Sequence, residues 1–196
     1  MKPNFFRYYC FDLLVDEQFD QICLVDADTI IHPECPNFFN IGTGFRAVHN
    51  DGDYDWVIRS VENYQSEFTD VCNKPFDNIW KYFNSGFLVI TKEYESFFKY
   101  FIEFYWKYQE RIINCQKRYG VGTDQPLINM LTHWHNVDVT LLPYQFNMQE
   151  IPRKNILDDR MLFTRIPGIY HFNGIPGGPE QANPWIEKTY KYLYEN

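Results

Sequence analysis

Two carboxylates two residues apart, Asp26 and Asp28, directly follow the apolar run Ile22-Cys23-Leu24-Val25 and precede Thr29-Ile30-Ile31. The run is apolar, partly β-branched and too short for a helix, so it predicts a buried strand over residues 21–25 with both acids at its end. Two charges left beside a buried strand are strongly unfavourable without compensation. A divalent cation in a cleft at the strand end removes that cost, and hard oxygen ligands favour Mg²⁺ or Mn²⁺. The competing reading is a pair of exposed acids capping a turn. A second acidic pattern, Asp51, Asp53, Asp55 and Glu62, has the spacing of a calcium loop. Trp56 stands where that loop needs glycine and Arg59 carries the wrong charge, so this segment reads as a solvated acidic loop.

Two metal-dependent families place a D-x-D at a strand end. Asp26-Ala27-Asp28-Thr29-Ile30 resembles the opening motif of haloacid-dehalogenase-like phosphatases, with Thr91 as a candidate for their second motif. Asp158-Asp159 lacks the glycine that would complete that set, which makes the phosphatase the weaker reading. Val25-Asp26-Ala27-Asp28-Thr29 also resembles the metal motif of family-8 nucleotide-sugar glycosyltransferases, the group that includes glycogenin and lipopolysaccharide galactosyltransferases. Further segments follow in that family's order. They are Arg7-Tyr8, Phe83-Asn84-Ser85-Gly86, Asp124-Gln125-Pro126-Leu127-Ile128-Asn129, Leu142-Pro143 with Phe146-Asn147, and Tyr170-His171-Phe172-Asn173-Gly174.

The resemblance implies a GT-A fold and metal-dependent transfer from a nucleotide-diphosphate sugar, a UDP-sugar, with retention at the anomeric carbon. It makes Asp26, Asp28 and His171 the metal ligands for Mn²⁺ or Mg²⁺. Arg7, Asp26, Asn84, Ser85, Gly86, Asp124 and Gly174 become the donor contacts, and Asp124 and Gln125 the candidate catalytic residues. The acceptor is an unspecified glycan, lipid or protein. The chemistry agrees: a diphosphate leaving group carries charge that a Lewis-acidic cation stabilises without proton transfer. Simpler roles also exist: a turn into a strand for Asn84-Ser85-Gly86, a first-turn helix acid for Asp124, a core histidine for His171. A catalytically silent, glycosyltransferase-like binding domain is the alternative from another functional class. Two departures stand out. Gly177 occupies the position of the family's phosphate-binding lysine, with Lys188 as a substitute, and Pro126 replaces an acid.

The elements that must position these groups are only partly periodic. Residues 4–15 carry a dense apolar helix pattern, and residues 96–116 a stronger one through Phe97, Phe101, Tyr105, Tyr108 and Ile112. A shorter helix is predicted over 124–132, strands over 87–90, 137–142 and 166–170, and a closing helix that begins at Pro184. Residues 32–55 read mostly as loop, and His133 and His135 as strand or turn residues without a role. The fold class is α/β, a GT-A-like mixed sheet flanked by helices, in a single domain over residues 1–196.

Among 196 residues, 45% are hydrophobic and 19% aromatic, which excludes a disordered chain. A net charge of −8 argues against a nucleic-acid partner. No apolar run reaches the roughly 18 residues of a membrane span. The five cysteines, with no C-x-x-C pair, read as reduced thiols in a reducing, cytoplasmic compartment. Only 25 residues precede Asp26, fewer than the ~30 of one βαβ unit. The expectation is a fold N-terminally truncated before its nucleotide-binding portion, or a homo-oligomer covering the exposed sheet edge.

Overall fold

A computed structural model describes residues 3–14, 18–52, 54–151, 157, 160–176 and 178–195. The strands are β1 (Gln21–Val25), β2 (Thr29–Ile31), β3 (Phe45–His49), β4 (Phe83–Thr91), β5 (Val139–Leu142) and β6 (Ile169–His171). The helices are α1 (Cys10–Leu13), α2 (Tyr54–Glu67), α3 (Glu95–Tyr119), α4 (Asp124–Trp134) and α5 (Pro179–Tyr194). Four strands form a mixed sheet in the order β1-β4-β3-β5. β4 is antiparallel to both β1 and β3, and β5 runs parallel to β3. β2 and β6 make a separate antiparallel ribbon that pairs Thr29 with His171. Among the described strands, β1 is hydrogen-bonded on one side only.

All nine residues of β4 are buried, as expected of a strand covered on both faces. On one face Ile22, Leu24, Phe45, Ala47, Leu88 and Ile90 pack against Phe98, Phe101, Phe104 and Tyr105 of α3. The aromatic excess is spent here: the Phe5 ring lies 3.8 Å from that of Tyr105, and Tyr8 lies 4.6 Å from Phe101. These contacts fix the N-terminal segment on α3. On the other face Val48, Phe87, Val89 and Leu142 pack against Phe146 and Ile169, which seats the segment leading to β6.

Several expectations change. Residues 32–55 contain β3, a central strand, and of the acidic segment after it Asp51 lies before α2, which starts at Tyr54. Asp55 and Glu62 lie on that helix, whereas Asp53 falls outside the described residues. The N-terminal pattern forms a 3-10 helix, Pro3–Tyr9, before the short α1; Val15 lies outside the described residues. Asn84-Ser85-Gly86 is no turn but part of β4 itself. The closing helix begins at Pro179 rather than Pro184, which sits inside it. His133 belongs to α4, and its Nε2 lies 2.6 Å from the Pro75 carbonyl. All five cysteines are free, and burial pushes the Cys10 thiol up to about 11. No helix among the described residues is long and apolar enough to cross a membrane.

Candidate active site

The site begins where β1 ends. The Asp26 N–H donates to the Gly86 carbonyl at 2.9 Å, and the Thr29 hydroxyl donates to the Asp26 carbonyl at 2.8 Å. The first ties the end of β1 to β4, and the second closes the turn between β1 and β2. The β2–β6 pairing then brings in His171, supported by the Phe172 N–H donating to the Asp28 carbonyl at 2.9 Å. His171 Nε2 lies 3.2 Å from Asp28 Oδ1 and 3.6 Å from Asp26 Oδ2. One ligand atom from each of the three residues falls within 4.8 Å of the others. Two carboxylates and an imidazole are a donor set that could hold a divalent cation.

Gly86 forms the wall behind them. A Cβ there would stand 2.7 Å from Asp26 Oδ2 and 2.8 Å from Asn84 Oδ1, and would also strike the His171 ring. Gly174, at φ +66, plays a similar part on the far side, where a Cβ would meet the Glu150 carboxylate at 2.5 Å. Glu150 itself has φ 57, which is unusual for a residue other than glycine.

A second layer is built on Arg7. Its guanidinium forms ion pairs with both Asp26 and Asp124 and donates to the Ser85 hydroxyl at 3.0 Å. Asp124, buried at the first position of α4, also accepts from the Asn4 side chain at 2.9 Å, the Tyr8 hydroxyl at 3.1 Å and the Ser85 hydroxyl at 3.2 Å. Burial opposes the charge on Arg7, but the carboxylates of Asp124 and Asp26 raise its pKa above the ordinary value, so it stays a cation. Burial pushes the Tyr8 phenol well up and keeps it a neutral donor. The two acids of the candidate metal site diverge. Burial raises Asp26 despite Arg7 and His171, whereas at Asp28 the effect of burial is outweighed by His171 and the carboxyl is lowered.

A run of buried amides links the layers. Gln125 Oε1 accepts from the Ser85 N–H at 3.1 Å, and its Nε2 donates to Asn50 Oδ1 at 3.3 Å. Asn84 Nδ2 donates to the same Asn50 oxygen at 3.2 Å. Asn84 Oδ1 accepts from the Gly86 N–H at 2.8 Å and from Asn147 Nδ2 at 3.0 Å. That leaves Asn147 Oδ1 as the acceptor facing His171 Nδ1 at 2.9 Å. The network therefore places an imidazole proton on Nδ1 and aims Nε2 at the two carboxylates, the nitrogen that a metal-binding histidine would offer. Asn147→Ala should weaken Mn²⁺ binding about 10–100-fold, measured by titrating Mn²⁺ against its paramagnetic resonance signal.

The structure thus gathers Arg7, Asp26, Asp28, Asn84, Ser85, Gly86, Asp124, Gln125 and His171 around one strand end, with Gly174 in the turn after β6. Asn50 and Asn147 complete the network. The sequence held Asn147 only as a motif position and gave no sign of Asn50, which becomes visible once β3 is recognised. Lys188 lies on α5 with its ammonium 5.0 Å from the centre of the Trp185 ring. Gly177, Asp158 and Asp159 lie outside the described residues. Thr91 pairs with Gln21 at the opposite end of β1 from Asp26, and its hydroxyl donates to Glu93 at 2.9 Å. It is too far along the sheet to act with Asp26, which removes the phosphatase reading's second motif.

Solved structures with similar folds are glycosyltransferases. GlyE of Streptococcus pneumoniae TIGR4, in its apo form, aligns with a TM-score of 0.50 at 18% identity, over 93% of this chain and 45% of that one. The bifunctional glycosyltransferase WbbM gives 0.48 at 17% identity, over 95% and 36%. Mouse xyloside xylosyltransferase 1 gives 0.48 at 15% identity, over 88% and 65%. The chain therefore spans less than two thirds of each of these proteins. No curated protein sequence matches it. With GlyE the chain shares the GT-A-like mixed sheet flanked by helices. The family described as "Glycosyl transferase family 8" matches residues 1–179, nearly the whole chain, and the protein belongs to that family.

Proposed function

We propose that the chain is a glycosyl-transfer unit that moves a sugar from a nucleotide-diphosphate donor, a UDP-sugar, to an acceptor hydroxyl with retention at the anomeric carbon. Asp26, Asp28 and His171 hold a divalent cation, Mn²⁺ or Mg²⁺. The observation that carries this reading is the meeting of these three side chains at the end of β1, in a chain of family 8. When bound, the cation supplies Lewis-acid stabilisation of the charge that develops on the leaving diphosphate.

The chain's own residues do the rest. Arg7 holds Asp26 and Asp124 in place and keeps a positive charge beside the phosphate side of the site. Asn84, Ser85 and Asn50 offer short, fixed dipoles suited to sugar hydroxyls. Gln125, with both amide atoms engaged, orients that layer and stabilises charge without itself attacking carbon. Preorganised dipoles of this kind are effective because they need no rearrangement as the bond breaks.

Thermal melts with UDP and Mn²⁺ test the reading. At a ligand concentration about 100 times Kd the stabilisation is about 2.7 kcal/mol, or roughly 5–10 °C for a chain of this size. EDTA should abolish it. No shift with UDP or any other nucleoside diphosphate, with or without Mn²⁺, would sink the proposal.

A further inference from the structure

At 64%, Trp80 is the most exposed of the large aromatic side chains among the described residues, yet it is not loosely held. Its backbone N–H donates to the Asn78 side chain at 3.1 Å in a short 3-10 turn that leads into β4. The Tyr54 ring meets it edge-on at 5.6 Å, and the His49 ring lies 6.2 Å away. His49 is anchored in turn. Nδ1 lies 2.9 Å from the Tyr82 carbonyl, Nε2 lies 3.4 Å from the Tyr54 hydroxyl, and its own carbonyl accepts from Gln149 Nε2 at 2.5 Å. The next residue, Asn50, donates its N–H to that same Tyr82 carbonyl at 3.0 Å. The aromatic cluster is therefore joined by a few bonds to the Asn50–Asn84–Gln125 floor of the site.

We propose that Trp80 and Tyr54 form the stacking shelf of an acceptor subsite and that the acceptor is a glycan offering a pyranose ring. This deepens the glycosyl-transfer reading and rests on it. A pyranose has an apolar C–H face and a rim of hydroxyls. An open indole face edged by the Tyr54 hydroxyl and the His49 imidazole matches both features at once, since aromatic surface takes the face and polar groups take the rim. A lipid acceptor calls for a longer continuous apolar surface, whereas here two rings are bounded by hydrogen-bonded backbone. The other flat ligand in the reaction is the nucleobase of the donor, and the test separates the two.

Ligand-observed NMR titrations with lactose, maltose and methyl galactoside, with Mn²⁺ and UDP present, should show saturable binding of at least one glycoside. Trp80→Ala should weaken that binding about ten-fold or more, a step of about 1.4 kcal/mol, and Trp80→Phe should restore most of it. Melts of the same proteins should show the same shift with UDP and Mn²⁺. Glycosides that fail to bind, or that bind Trp80→Ala as well as the parent, overturn the proposal. So does loss of the UDP shift in Trp80→Ala, which would make the shelf a base platform. A parent protein that binds glycosides through Trp80 yet shows no UDP shift keeps the sugar shelf and instead refutes the donor reading.

Discussion

Asp28→Asn should lower sugar transfer by more than about 100-fold and erase the Mn²⁺-dependent part of the stabilisation by UDP. Loss of an outer-shell partner already costs metal sites 10–100-fold, and Asp28 is argued to be a direct ligand. Its carboxylate faces His171 Nε2 at 3.2 Å, whereas Asp26 is also paired with Arg7. The asparagine keeps the shape and leaves the Arg7 ion pairs intact, so the unliganded melting temperature should barely move, as for most partly exposed substitutions. Donor hydrolysis assays and Mn²⁺ titrations on the same preparation check both halves. A silent binding domain predicts equal ligand binding before and after the change.

Arg7→Ala should be costly in a different currency, stability. The guanidinium side chain is 17% exposed and that of Asp124 only 7%. Removing the cation leaves Asp124 buried among polar groups that cannot neutralise it. Breaking a buried ion pair by deleting one partner costs about 3–5 kcal/mol, which corresponds to a fall in Tm of roughly 6–20 °C for a domain of this size. The sign is clear because the deleted group is the only positive member of the Arg7–Tyr8–Asp124–Ser85 set. Arg7→Lys should recover part of the loss, since an ammonium cannot reach Asp26, Asp124 and Ser85 together as the fork does. Calorimetric melts, with circular dichroism to confirm a folded chain, decide the matter.

Much of the fold could be read from periodicity. β1 and the 87–90 half of β4 show as apolar runs, and α3 as a stripe with a recurrence of three to four, because their burial is strongly one-sided or complete. β3 could not. Its second residue, Arg46, is 1% exposed yet charged, and its two terminal nitrogens bond the Phe38 carbonyl and the Gln21 side chain, 8 and 25 residues away. A buried arginine in a five-residue strand breaks any hydrophobic pattern. α2 was hidden by its acidic entry, which mimics a metal-binding loop in spacing although the backbone is helical. The site followed the same division. Asp26, Asp28 and His171 stand in short local motifs, whereas Asn50 and Asn147 act through side-chain amides whose partners lie 34 to 75 and 24 to 63 residues away. Tertiary proximity alone gives those amides their meaning.

On the proposed function, the Arg7 ion pairs also set the order in which ligands arrive. Asp26, Asp28 and Asp124 carry three negative charges within one connected cluster, and Arg7 cancels one of them. The remainder is two, which is the charge of a single divalent cation. A diphosphate approaching the bare cluster meets like charge at close range, in surroundings where screening by water is weak. Once the cation is seated the cluster is neutral, and the anion is met by the metal and the Arg7 guanidinium. Electrostatic balance therefore favours the cation entering first, or the two entering as a complex, and it disfavours the nucleotide alone.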